Sequence, residues 1–112
     1  MEVQVPLSRP DITEREIALV NEVLQTPFLS QGPMLPRFEE SFARFVGMTE
    51  AVGVSSGTAG LHLCVRAANL GPGDEVITSP FSFIASANCI LYEGATPVFA
   101  DVEEDSLNLD PA

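Results

Sequence analysis

Apolar positions change rhythm near residue 50, and the change divides the chain. Before it, Ile17, Val20, Val23 and Leu24 recur at the three-to-four-residue spacing that lines one face of a helix. Thr13-Glu14-Arg15-Glu16 precedes them in capping-box form, so a first helix is predicted from there to near Gln25. Pro6 and Pro10 make the approach to it extended, and TPFLSQGP (26–33) reads as a loop. Beyond the loop, Leu35, Phe38, Phe42 and Phe45 share one helical face and Gly47 supplies a stop. A second, strongly amphipathic helix is predicted, with its phenylalanine stripe serving packing.

From residue 51 short apolar runs alternate with helical stretches. AVGV (51–54), EVITS (75–79) and PVFAD (97–101) read as strands, with helices running from near Thr58 to Ala68 and from near Ser82 to Glu93. Leu61, Cys64, Val65 and Ala68 form an apolar face on the first of these helices. Gly71-Pro72-Gly73-Asp74 is a sharp turn into the second strand, and Gly94 closes the following helix. This βαβαβ order predicts an α/β fold with parallel strands, right-handed crossovers and helices on the sheet. A helical segment over 1–50 and an α/β segment over 51–112 are the expected domains.

Composition narrows the function. With 46% hydrophobic and 19% charged residues, the 112-residue chain is composed like part of a soluble globular protein. Sixteen acids against five basic residues give a net charge of −11, which repels polyanions, so nucleic acid is not an expected partner. All five basic residues are arginines (Arg9, Arg15, Arg37, Arg44 and Arg66); chemistry that needs a lysine amine is not completed by these residues. Asp101, Glu103, Glu104, Asp105 and Asp110 cluster as a solvated loop, with a divalent-metal site as the alternative. Capping or solvation is the expected role of Asp74 and Asp101.

No apolar run approaches the ~20 residues of a membrane span, and the N-terminus has neither the basic start nor the apolar core of a signal peptide. A cytoplasmic protein with no membrane partner is expected. Cys64 and Cys89 lack CxxC spacing and lie in helical stretches, which suits reduced core cysteines. His62 is expected to be a satisfied, partly packed imidazole.

In a parallel sheet, ligands sit beyond the carboxyl ends of the strands, where each strand passes into its helix. The first such junction, Val54-Ser55-Ser56-Gly57-Thr58-Ala59-Gly60, is a small-residue loop opening into a helix. Free amides there, backed by the helix dipole, suit a phosphate; Gly57 permits close approach, and Ser56 and Thr58 add hydroxyls. The alternative is an ordinary serine cap. The second junction, Thr78-Ser79-Pro80-Phe81-Ser82-Phe83, places two phenylalanines at a strand end. One facing the crevice would give a flat ring something to stack on, which suits a phosphorylated aromatic cofactor; core packing of both rings is the alternative.

The run VSSGTAGLHLCVRAANLGPGDEVITSPFSFIASANCILYEGATPVFADVEEDSLNLDP (54–111) resembles the DegT/DnrJ/StrS family of pyridoxal-phosphate-dependent nucleotide-sugar aminotransferases, and RPDITEREI and LSQGPMLPRFEESFARFVG are similar to its N-terminal segments. The resemblance implies the large domain of the type I aminotransferase fold, in a homodimer with active sites at the subunit boundary. It implies that pyridoxal 5′-phosphate is held at Ser56, Gly57 and Thr58, chiefly by the amides of Gly57 and Thr58. Phe83 then stacks on the pyridine ring, Phe81 packs, and Gln31 and Asn88 approach substrate. The implied reaction transfers an amino group, usually from glutamate, to a keto nucleotide-sugar for polysaccharide or glycoside biosynthesis.

In that family a Schiff-base lysine and an acid on the pyridine nitrogen both lie downstream of the matched region. The chain is therefore expected to be the N-terminal part of a longer enzyme and inactive alone. The resemblance also implies that 51–54 finds no strand partner within this stretch, leaving it marginal and prone to association. A dehydratase of the same family and a noncatalytic phosphate- or nucleotide-binding module are the competing readings.

Overall fold

The computed structural model describes residues 8–111, which fall into two compact units, one ending at Gly53 and one beginning at Val54. In the first unit, Thr13 holds extended backbone and starts α1 (Glu14–Leu24). Its N–H donates to Glu16 Oε2 at 2.7 Å, its hydroxyl donates to the same carboxylate, and its Oγ1 accepts from the Arg15 amide at 3.2 Å. The predicted capping box is therefore formed. The Thr13 hydroxyl and, after it, the Thr13 amide hold the Glu16 carboxyl below the ordinary carboxylate range.

The loop after α1 is close-packed at Gly32, where a Cβ would meet the Phe28 carbonyl oxygen at 2.7 Å. Then α2 (Met34–Val46) runs to Gly47, whose φ of 71° is the left-handed stop read from the sequence. Arg37 reaches back to Glu22 at 3.4 Å, an exposed pair worth little by itself. Ala43 is the one buried residue among those described in this unit. The phenylalanine stripe exists, with Phe38 and Phe42 rings 5.8 Å apart, but among the described residues little else covers it, contrary to the expected packing. Phe38, Phe42 and Phe45 all stay exposed, Phe45 at 87%. A helical period tells which face is apolar and not what covers it.

Residues 51–54 form no strand, which corrects the βαβαβ order and agrees with the expectation that this run finds no strand partner within the stretch. Gly53 instead donates its N–H to Glu39 Oε1 at 2.7 Å. A strand exists through its ladder, and the two described strands pair only with each other.

The second unit is αβαβ: α3 (Gly57–Ala67), β1 (Glu75–Thr78), α4 (Ala85–Tyr92) and β2 (Thr96–Phe99). The strands are parallel, in register from Glu75 against Thr96 to Thr78 against Phe99. Cys89, Ile90 and Ala95 form the buried core, with Val65 and Val76 packed against it. Two turns set the strand entries. Asp74 accepts the Gly71 amide at 2.8 Å while Gly73 sits at φ 99°, and Gly94, at φ 78°, closes α4 against Pro72.

Several finer expectations fail. α4 starts at Ala85 and not near Ser82, because Ser79 Oγ takes the Phe81 amide at 3.0 Å and turns that segment. Cys89 is buried but Cys64 is exposed, and of the face Leu61, Cys64, Val65 and Ala68 only Val65 joins the core. Phe81, expected to pack, is 70% exposed. The acidic segment is a solvated loop closed by a Val102–Leu109 bridge, in which Asp101 accepts the Val102 amide at 2.8 Å.

Candidate functional site

Ser56 ends the segment before α3 in extended backbone, and its Oγ accepts the Ala59 amide at 3.1 Å. The Gly60 amide donates to the Ser56 carbonyl at 3.0 Å, so the helical ladder begins there. Between these bonds, the N–H groups of Gly57 and Thr58 meet no acceptor among the described residues. Both amides stand at the positive end of the α3 dipole. A Cβ built on Gly57 would meet no atom within 4 Å, so the space beside its α-carbon is open.

Phe83, beyond the carboxyl end of β1, lines the same open concavity of about 580 Å³, together with Gly57, Thr58, Gly60, Leu61, Cys64 and Ala85. Phe83 is 75% exposed, which leaves aromatic surface free for a ligand. The arrangement has unspent anion donors, a flat apolar plate and aliphatic walls. It can hold a flat ring carrying an anionic substituent.

Of the residues singled out from sequence, Gly57, Thr58 and Phe83 thus come together. Ser56 stands beside them, its Oγ accepting the Ala59 amide and its O–H still available as a donor. Asn88 is half-buried on α4 and is not among the residues lining the concavity. Gln31 belongs to the first unit, where its backbone is left-handed at φ 49° and it lines a cavity of about 200 Å³ with Phe28, Leu29 and Pro33. Sequence reading missed Gly60, Leu61 and Cys64 as walls. The signal was present, since they follow Gly57 at i+3, i+4 and i+7 on one helix face.

His62 is satisfied and partly packed, as expected: its Nε2 lies 2.5 Å from Glu93 Oε1. Among the described residues no cluster of three histidines, cysteines or acids is placed to hold a metal ion, and no helix is long and apolar enough to cross a membrane.

Residues 10–112 match the DegT/DnrJ/EryC1/StrS aminotransferase family. The chain is 52% identical over 107 residues to the spore coat polysaccharide biosynthesis protein SpsC of Bacillus subtilis (strain 168), covering 96% of this chain and 28% of that protein. It is 44% identical over 108 residues to the UDP-4-amino-4-deoxy-L-arabinose–oxoglutarate aminotransferase of Shewanella sediminis (strain HAW-EB3), again 96% of this chain and 28% of that one. Among solved structures, Spr1654 from Streptococcus pneumoniae matches with a TM-score of 0.88 and 37% identity over 95% of this chain and 27% of that chain, in both its PMP-form and its PLP-form. The chain therefore spans 28% of the length of these two curated relatives.

Proposed function

Because the chain belongs to the DegT/DnrJ/EryC1/StrS aminotransferase family, we propose that it forms the part of a sugar aminotransferase that grips the phosphate and one ring face of pyridoxal 5′-phosphate. The observation that carries this reading is the pair of unspent amides, Gly57 and Thr58, sharing one concavity with the exposed ring of Phe83. A solved neighbour in PMP- and PLP-forms supports the same cofactor.

The residues present fit such a group. The Gly57 and Thr58 amides donate to phosphate oxygens, and the Thr58 hydroxyl adds a third donor. Ser56 holds the turn through Ala59, which keeps those donors aimed outward, and its own O–H is free to donate to the same phosphate. Phe83 fixes the ring plane, and Leu61, Cys64 and Ala85 keep water from that side. When bound, the cofactor supplies the electron sink that lets an amino group leave one carbon and join another.

The parent enzyme moves that amino group from glutamate to a keto nucleotide-sugar, for polysaccharide or glycoside biosynthesis. It works in the cytoplasm as a homodimer with sites at the subunit boundary, and Gln31 and Asn88 face substrate. The names of the two curated relatives support the pathway and the amino donor in this reading: one belongs to polysaccharide biosynthesis, and the other pairs a UDP-amino sugar with oxoglutarate, the keto partner of glutamate. The residues 1–112 contain no lysine and do not perform the transfer alone.

The test is amide-resolved NMR titration of the chain with pyridoxine 5′-phosphate and with pyridoxine, neither of which carries an aldehyde. The Gly57 and Thr58 resonances are expected to move with the phosphate ester and to stay still with pyridoxine. Gly57→Pro, which deletes one donor at a helix position that tolerates proline, should weaken the ester about tenfold. Indifference of both amides to the ester overturns the reading.

A further inference from the structure

The seam between α3 and α4 carries a polar cluster that the proposed chemistry leaves unused. Glu93 Oε1 lies 2.5 Å from His62 Nε2 and 3.5 Å from Arg66 Nη1, and the Tyr92 ring meets the imidazole edge-on with centroids 5.2 Å apart. The Glu93 side chain is only 19% exposed, so this pair is better shielded than the surface pairs of the first unit. His62 sits between Leu61 and Cys64, two walls of the concavity, and Glu93 caps the helix whose first residue, Ala85, is a third wall.

The two sides of the concavity are thus the beginnings of two helices. The apolar contact of Val65 with the Cys89–Ile90 core is non-directional and leaves room for axial sliding. The bond from His62 to Glu93 is directional and has one register. We propose that His62 is a positioning residue for the phosphate grip: its bond to Glu93 fixes the advance of α3 along α4, and so the distance from the Gly57 and Thr58 donors to the Phe83 ring. This inference rests on the phosphate reading above. A slide of one residue is ~1.5 Å, enough to take a donor out of hydrogen-bond range of a phosphate whose ring is already stacked.

The experiment repeats the two titrations on His62→Ala and His62→Gln; the glutamine amide can still donate to Glu93. His62→Ala should weaken pyridoxine 5′-phosphate about tenfold while pyridoxine binds as before, and His62→Gln should restore most of the loss. Unchanged ester affinity in His62→Ala, or equal weakening of both ligands, overturns the inference. A wild-type chain that does not distinguish the two ligands sinks the phosphate reading itself and this inference with it. Should circular dichroism show His62→Ala unfolded, Glu93→Ala, which removes the acceptor itself, carries the same comparison with the same expected loss.

Discussion

In the helical unit each element boundary is set by bonds within a turn or two of chain, whereas in the αβαβ unit the stabilising contacts join residues far apart in sequence. Thr13 with Glu16 starts α1, and Gly47 stops α2. Yet Ala43 is the only residue buried there among those described. In the second unit β1 pairs with β2, His62 bonds to Glu93, and Val65 and Val76 pack on Cys89, Ile90 and Ala95. Local signals suffice to make helices; a core needs elements that meet after a crossover.

The contrast is broken most directly by a pair of substitutions. Ile90→Ala, at a side chain 2% exposed, should cost ~2–5 kcal/mol in urea unfolding followed by circular dichroism, with hydrogen-exchange protection lost across β1 and β2. Phe45→Ser, at 87% exposure, should change stability by no more than ~0.5 kcal/mol. Equal costs for the two would end the distinction.

A smaller effect tests the turns that deliver the strands. Gly94→Ala places a side chain at φ 78° with its Cβ 3.2 Å from Pro72, and should lower stability by ~1–2 kcal/mol. Adding Pro72→Ala relieves the contact but not the backbone strain, so the double variant should recover only part of the loss.

The smallest effect belongs to α1. Thr13→Ala should cost ~1 kcal/mol, confined to amide exchange within Glu14–Leu24 and invisible in the second unit. The same cap gives a pH dependence of known sign. Glu16 is held below its ordinary value of 4.5 by the Thr13 hydroxyl and amide, so its contribution is complete above that value. It disappears as pH falls through the lowered folded value. Helicity of α1 that is flat across this acid range in wild type, or that still falls in Thr13→Ala, would count against the capping box.

What was readable in the sequence follows the same division. The first two helices, the glycine turns and the donor pair at Gly57 and Thr58 rest on neighbours a few residues away, and each was legible. The run 51–54 reads as a strand by its residues and forms none, because an apolar run becomes a strand only beside a partner; only the family resemblance pointed to the missing partner. The phenylalanine stripe and Cys64 misled for a related reason: periodicity marks an apolar face without naming its cover. Phe81 and Phe83 were separable only in part, since alternation along a strand stops where the serine-bonded turn begins. The seam linking His62 to Glu93 has no motif at all; it depends on where two helices stop relative to each other.

The abutment of Pro72 on Gly94 also bears on how this fold can vary. Two connections that lean on one another cannot lengthen independently: an insertion in either would have to push the other aside. Tolerance for extra residues should instead concentrate in the solvated acidic loop, making it the natural place for a spliced epitope or a dye-bearing tag.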